Sequence, residues 1–454
     1  MLTRIEIDGF KTFSGFELDL QPFNVIAGAN ASGKSNLFDA IQLLARLAES
    51  DLRSAAGSLR GEPHELFRRS SGPSPINQIK LAVEVLVEPS VRDLWGQAHE
   101  LIQTRLRYEV TLERRVERGL ERLYVVREAV KPIRASKDLW AVPFKRRRDP
   151  LIVPRLKYNR QNDLLETRIE AGDPLFRIGQ DGNAGRKRPA VAAEATVLSS
   201  ITSAEFKHLY ALRAELRSWR FLQLDPAGLR DAVDQHAPER LEPSGWNLAA
   251  VLARIRAETA DDDDDQGLLT DLSADLAHLV PGITGVQIRE DESERQWQIL
   301  IRTRSGDEYS SRVASDGTLR LLALLTALSD PRFGGVICFE EPENGVHPGQ
   351  IKPLIEHLRT LVCGEPGEDG AGDQPLLQLI LTTHSPVVVA SLNADEGVFF
   401  DSTTSLDGDG SPGDVVTRAR IVRQEFQQTL DPDDVGELVT HGEVQRYLAT
   451  VGRE

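Results

Sequence analysis

Alternation is the first organising signal in the chain. Ile79, Leu81, Val83, Val85 and Val87 are separated by single residues, which predicts a half-buried strand over residues 78–87. Residues 106–113 and 123–130 read the same way. Other apolar stretches are continuous. Phe23-Asn24-Val25-Ile26-Ala27, Gly335-Val336-Ile337-Cys338-Phe339 and Leu379-Ile380-Leu381 have the pattern of strands covered on both faces. Helical spacing takes over in residues 36–44 and 203–219, in two segments after residue 246, and in the run from Leu321 to Leu325. A hairpin over residues 286–301, a strand over 397–401, a short strand near Val415 and a helix over 443–448 complete the expected elements.

The continuous run at 23–27 leads into Gly28-Ala29-Asn30-Ala31-Ser32-Gly33-Lys34-Ser35-Asn36, a complete G-x-x-x-x-G-K-S loop between a strand and a helix. Gly28 and Gly33 allow the turn that points successive N–H groups at phosphates, and the following helix adds its positive end. Lys34 is the candidate partner of the β- and γ-phosphates, and the Ser35 hydroxyl the candidate Mg²⁺ ligand. The chain is thus expected to bind a nucleotide.

Three later segments bear on the reaction. The strand at 335–339 ends in Glu340-Glu341-Pro342, which places Glu340 beside the metal and Glu341 beside an attacking water. Ser315-Asp316-Gly317-Thr318 opens the helix at Leu321 and offers a second anion-binding helix end; alternatively Ser315 or Asp316 is a plain N-cap. The run at 379–381 ends in Thr382-Thr383-His384-Ser385, which delivers a histidine to a strand end.

The order phosphate loop, Ser-Asp-Gly-Thr turn, Glu-Glu strand, Thr-Thr-His resembles ABC-type ATPases of the SMC and RecF branch. More narrowly, it is similar to bacterial AAA family ATPases with an E-E-P-E-N-G-x-H-P block, relatives of the ATPase part of OLD-family proteins. The opening Leu2-Thr3-Arg4-Ile5-Glu6-Ile7-Asp8-Gly9-Phe10-Lys11-Thr12-Phe13 and the segments 226–230 and 247–252 also look like that branch. The resemblance implies an α/β fold, a P-loop NTPase with an ABC/SMC-type head of mixed sheet and flanking helices, carrying an inserted α+β lid. It implies ATP and Mg²⁺ as cofactors, and a homodimer in which the phosphate loop of one subunit faces Ser315-Asp316-Gly317-Thr318 of the other. Asn344-Gly345-Val346-His347-Pro348 would run across the seam, and His384 would touch the γ-phosphate. Glu340 stands where that branch usually has aspartate, and Gln78 has no pattern to support it as a γ-phosphate-sensing glutamine.

Three regions follow: residues 1–90 as the first ATPase lobe, 91–245 as the inserted lid, and 246–454 as the second lobe with signature, Glu-Glu strand and histidine. The insert lacks sustained heptads, so a compact lid is expected in place of a coiled-coil arm. The 70 residues after His384 are a tight fit for an appended TOPRIM nuclease. No run approaches the ~20 apolar residues that cross a bilayer, and Arg4, Glu6 and Asp8 interrupt any signal-peptide pattern, so the protein is expected to be cytoplasmic and off the membrane. Cys338 and Cys363 are the two cysteines, which excludes a disulfide framework or a four-cysteine zinc site.

A net charge of −16 argues against a general nucleic-acid surface, although Lys145, Arg146, Arg147, Arg148, Arg155, Lys157 and Arg160 form a basic stretch with Phe144 and Tyr158 interleaved. That stretch is either a DNA contact or a solvated excursion. The acidic run at 261–265 reads as a disordered loop or an acidic decoy for a basic partner, and residues 363–374 as a surface loop. The reading reached is an ATP-hydrolysing dimeric switch acting on DNA or with a nuclease or effector partner, in phage defence or DNA maintenance. A transporter ATPase subunit and a non-catalytic ATP-dependent scaffold are the alternatives.

Overall fold

The computed structural model of the 454-residue chain describes residues 1–69, 76–179, 185–262, 264–332, 334–364, 375–393, 395–406, 412–423, 438–440, 442–444 and 446. A seven-stranded sheet forms its centre, in the order Arg220–Leu222, Gly335–Glu340, Leu377–Thr383, Phe23–Gly28, Gly397–Leu406, Pro412–Arg423, Leu438–Thr440. The first five strands run parallel and Pro412–Arg423 opposes its neighbour. The continuous apolar runs are explained by this position. Ile26, Val336, Cys338 and Ile380 face one core, while Val25, Ile337, Phe339, Leu379 and Leu381 face a second on the other side. The second core is closed by helices Leu248–Thr259, Leu268–Leu279, Asp316–Ser329 and Ile351–Cys363 and by the Ile283–Asp291/Gln296–Thr303 hairpin.

An eight-stranded antiparallel sheet covers the first core together with helices Lys34–Leu47 and Lys207–Ser218. Its order is Arg186–Pro189, Asp173–Ile178, Leu165–Glu170, Leu120–Pro132, Arg105–Glu117, Gln78–Leu86, Leu2–Asp8, Phe16–Asp19. Alternation holds across it. Ile5, Leu81, Val83 and Val110 point into the core, while Arg4, Glu6, Arg107, Glu109 and Lys131 form ion pairs on the outer face. The strands expected over 106–113 and 123–130 are longer than the apolar pattern and pair as one hairpin. Through Arg105–Glu117 they join Gln78–Leu86 directly, so the strands of the 91–245 region extend the sheet of the first lobe. The longest helices among the described residues have 14 residues, Lys34–Leu47 and Asp316–Ser329, in keeping with the missing heptads.

Within the acidic run, Asp264 accepts bonds from Gln266 N and Thr270 Oγ1 in a tight turn; Asp263 lies outside the described residues. So does most of the loop expected at 363–374, and residues 445, 447 and 448 of the terminal helix expected over 443–448, of which residues 443, 444 and 446 are helical.

Candidate functional site

The Phe23–Gly28 strand is wholly buried and delivers the chain to the loop at the C-terminal edge of the parallel strands, where ligands of open α/β sheets bind. Gly33, with φ 100°, caps helix Lys34–Leu47, and the loop wraps a cradle that side chains would fill. A Cβ on Gly28 would lie 2.6 Å from both Phe400 O and Ser32 Oγ, and one on Gly33 would meet Thr417 Cγ2 at 2.9 Å. Among the described residues the buried Ser32 Oγ has no hydrogen-bond partner, a polar group that an entering oxyanion would satisfy. Lys34 Nζ donates to the carbonyls of Gly28 at 2.7 Å and Ala29 at 2.8 Å. Burial lowers its pKa, opposed by the charges of Glu341, Glu340 and Glu343.

Ser35 Oγ donates to Glu340 Oε1 at 2.7 Å, so the hydroxyl and carboxylate expected at the metal already touch. Mg²⁺ keeps several waters and takes one or two protein ligands plus phosphate oxygens, and this pair fits that requirement. The longer Glu340 side chain does not prevent the contact. Glu341 sits just beyond the strand with φ 52° and its N–H on Thr382 O at 2.9 Å, which turns its carboxylate out of the sheet edge. Its oxygens accept from Asn344 Nδ2 at 2.5 Å and meet His384 Nδ1 at 3.0 Å. The phosphate loop, Glu340, Glu341 and His384 therefore converge at one end of three adjacent parallel strands, with His384 held by Glu341.

The Ser-Asp-Gly-Thr turn adopts the capping geometry. Ser315 Oγ accepts from Thr318 N at 3.2 Å and lies 2.7 Å from Thr318 Oγ1, and the Asp316 carboxylate pairs with Arg230. Ser315 and Asp316 are exposed, whereas Gly317 and Thr318 are buried. Gly317 packs on the backbone of Gly345, where an added Cβ would lie 2.6 Å from the carbonyl carbon. No hydrogen bond or ion pair among the described residues joins this turn to the phosphate loop.

Several contributors escaped the sequence. Thr417 Oγ1 lies 2.8 Å from Thr12 Oγ1 and 3.2 Å from Ser32 O, and Asn36 Nδ2 donates to Thr12 at 3.0 Å, so a distant strand braces the loop. Asp39 ties Lys11 to Arg60, whose guanidinium also reaches Ser35 O at 3.1 Å. Glu343 accepts from Thr383 Oγ1 at 2.5 Å, and its burial raises its carboxyl above the usual range. Gln78 is engaged elsewhere, with Glu113 at 2.8 Å.

The basic stretch is corrected in part. Arg155 is 3 % exposed and is held by Glu88 at 3.1 Å and Leu151 O at 2.6 Å, so it belongs to the interior and cannot lie along a phosphate backbone. Lys157 pairs with Glu100, and Arg160 is half-buried against Asn162 O. Lys145, Arg146, Arg147 and Arg148 are exposed on or beside the short helix Ala141–Arg147; Lys145 stacks over Tyr158 and Arg147 over Phe144. Among the described residues no helix is long and apolar enough to cross a membrane.

Parallel strands flanked by helices, with a phosphate loop and a Ser–Glu pair at their ends, define a P-loop nucleotide-binding ATPase domain. The family described as "AAA domain, putative AbiEii toxin, Type IV TA system" matches residues 23–88 and 161–390, and the chain belongs to it. No curated protein matches the chain. Solved SMC heads are similar at low identity. The Smc head with coiled coil and joint from Pyrococcus yayanosii is 10% identical, with 99% of each chain covered and a TM-score of 0.45. The SMC head domain from Thermotoga maritima is 14% identical over 93% of this chain and 99% of that one, TM-score 0.36. An SmcHead bound to the C-winged helix domain of ScpA is 14% identical over 92% and 97%, TM-score 0.45.

Proposed function

We propose that this protein hydrolyses ATP with Mg²⁺ and uses the cycle as a switch for an effector or nuclease partner in defence against phage. The observation that carries the reading is the convergence of Lys34, the Ser35–Glu340 pair at 2.7 Å and the Glu341–His384 pair at 3.0 Å at one sheet edge. Bound Mg²⁺ would neutralise charge developing on the phosphates. Ser35 and Glu340 would hold it, Lys34 would leave its two loop carbonyls for the phosphate oxygens, and the loop N–H groups of residues 28–36 would bind the remainder. Glu341 would accept a proton from water, oriented by Asn344 and His384. A site that only bound nucleotide would need neither group.

Assembly belongs to the same reading. Ser315 and Asp316 are exposed and would face the phosphate loop of a second copy, with residues 344–348 at the seam. The family's description names a Type IV toxin–antitoxin system, which supports a partner protein over a role in DNA maintenance. DNA contact, if made, falls to Lys145, Arg146, Arg147 and Arg148.

The test is steady-state phosphate release combined with nucleotide binding. Lys34→Ala should lose tight ATP binding, and Glu341→Gln should bind ATP while turning over slower by about 10²-fold or more. Wild-type turnover in Glu341→Gln refutes the assignment. Light scattering of the Glu341→Gln protein with and without Mg-ATP tests assembly, and an ATP-independent monomer mass refutes the shared site.

A further inference from the structure

Beside the Ser-Asp-Gly-Thr turn, a cleft of about 240 Å³ is lined by Arg230, Arg289, Arg312, Gln298, Ser310 and Ser311. These residues come from four separate segments: the turn before strand Val233–Asp234, the two strands of the Ile283–Asp291/Gln296–Thr303 hairpin, and the junction of strand Glu308–Ser310 with the turn that follows it. The cluster is therefore assembled by the fold.

Charge is what sets the cleft apart. In a chain of net charge −16, three guanidiniums share it, and the one carboxylate within ion-pair distance of any of them among the described residues is Asp316, on Arg230. Among the described residues Arg289 donates to a neutral acceptor, Gln298 Oε1 at 2.7 Å, which fixes its direction, while the Asp291 carboxylate on the same strand feels its charge from beyond ion-pair distance. Arg312 has no ion pair among the described residues and is exposed. Ser311 Oγ donates to Arg230 O at 2.9 Å, fastening the Arg230 backbone to the same wall. Uncompensated like charges repel one another, so such a cluster is stable only to the extent that water, salt or a ligand screens it.

We propose that this cleft binds a phosphate group, with Arg289 and Arg312 as its principal cations and the Ser310 hydroxyl as an additional donor. Guanidinium forks match phosphate oxygens bidentately, and two forks with a hydroxyl can satisfy one phosphate. Arg230 lines the same cleft, so the ligand competes with Asp316 for it and acts on the start of helix Asp316–Ser329. A free phosphate compound and a nucleic-acid backbone present the same chemistry.

Calorimetric titration of the full-length Lys34→Ala protein, whose phosphate loop has lost its own cation, separates these sources. Inorganic pyrophosphate should bind saturably, and Arg289→Ala/Arg312→Ala should weaken binding at least tenfold. A single-stranded oligonucleotide that binds more tightly than pyrophosphate, with the same arginine dependence, identifies a backbone; the reverse order identifies a free compound. Thermal melting checks that the double variant is folded, and the single Arg312→Gln variant repeats the measurement with a smaller change. Absence of saturable binding by either probe, or equal binding by folded variants and parent, overturns the proposal.

Discussion

Replacing Gly317 by alanine adds one methyl group where the fold has no room for it. The new Cβ would lie 2.6 Å from the Gly345 carbonyl carbon and closer still to its oxygen. Since Cβ contacts below 3.0 Å are essentially never seen, the carbonyl carbon alone requires the two backbones to separate by 0.4 Å, and the closer oxygen requires more. Neither partner yields easily, because both are main chain. Overpacking of this kind costs about 1–3 kcal/mol, or roughly 1–3 °C in melting temperature for a chain of this size. The displaced residue adjoins Asn344, whose amide holds Glu341 at 2.5 Å. If Glu341 orients water as proposed, a shift of that size is expected to lower kcat by about 10- to 100-fold while leaving ATP affinity nearly intact. Differential scanning calorimetry and single-turnover hydrolysis measure both effects. Asp316→Asn is the comparison for a seam defect, since it leaves the Gly317–Gly345 contact in place and alters the exposed pair with Arg230 and the face turned toward a second copy. Unchanged melting and turnover in Gly317→Ala would refute the coupling, whereas lower turnover alone would not separate this strain from a defect across a dimer seam.

Glu128 is fully buried, and burial pushes its carboxyl up to about 7 against bonds from Val197 N, Leu198 N and Tyr108 that favour the charged form. The native state thus holds a proton that the unfolded chain releases near 4.5, so stability from this group is present at low pH and lost as pH rises to about 7, by up to about 3 kcal/mol. Glu128→Gln should flatten that part of the stability profile in denaturant titrations between pH 5 and 8. Thr417→Ala removes the brace on Ser32 O and Thr12 and should weaken ATP binding about fivefold to tenfold, read by fluorescent-nucleotide titration. If Lys145, Arg146, Arg147 and Arg148 contact duplex DNA, affinity should fall by about 0.9 log units per contact for each tenfold rise in salt, and charge reversal of the three arginines should flatten the slope with ATPase retained.

The parts of the site legible in the sequence are those whose chemistry is local. A phosphate loop is nine consecutive residues, 28–36, and its strand and helix adjoin it, so composition and spacing identify it. The Glu-Glu and Thr-Thr-His strand ends were legible for the same reason. The Thr12–Thr417 brace was not, because its partners are 405 positions apart and nothing in either segment names the other. Arg155 illustrates the opposite error. In a basic run it looks solvent-bound, and only the placement of Glu88 at 3.1 Å reveals it as an interior cation. The long hairpin was underestimated because its outer ends are held by pairs such as Arg114–Glu121 and by Arg115 stacked on Tyr124, which do not register as apolar alternation.

The brace between Thr417 and Ser32 also orders events in time. The two residues are separated by 385 positions, so a ribosome adding about 5–20 residues per second needs on the order of 20 to 80 s to supply the second after the first. During that interval the loop sequence exists without the strand that closes it. The Phe23–Gly28 strand likewise waits for Leu377–Thr383 and Gly397–Leu406, its neighbours on either side. Nascent chains should therefore acquire nucleotide affinity late and abruptly, and a polypeptide arrested before residue 417 should not yet sequester ATP. Occupancy of the loop would then report that the strands on both sides of Phe23–Gly28, and the Thr417 brace beyond them, have been made.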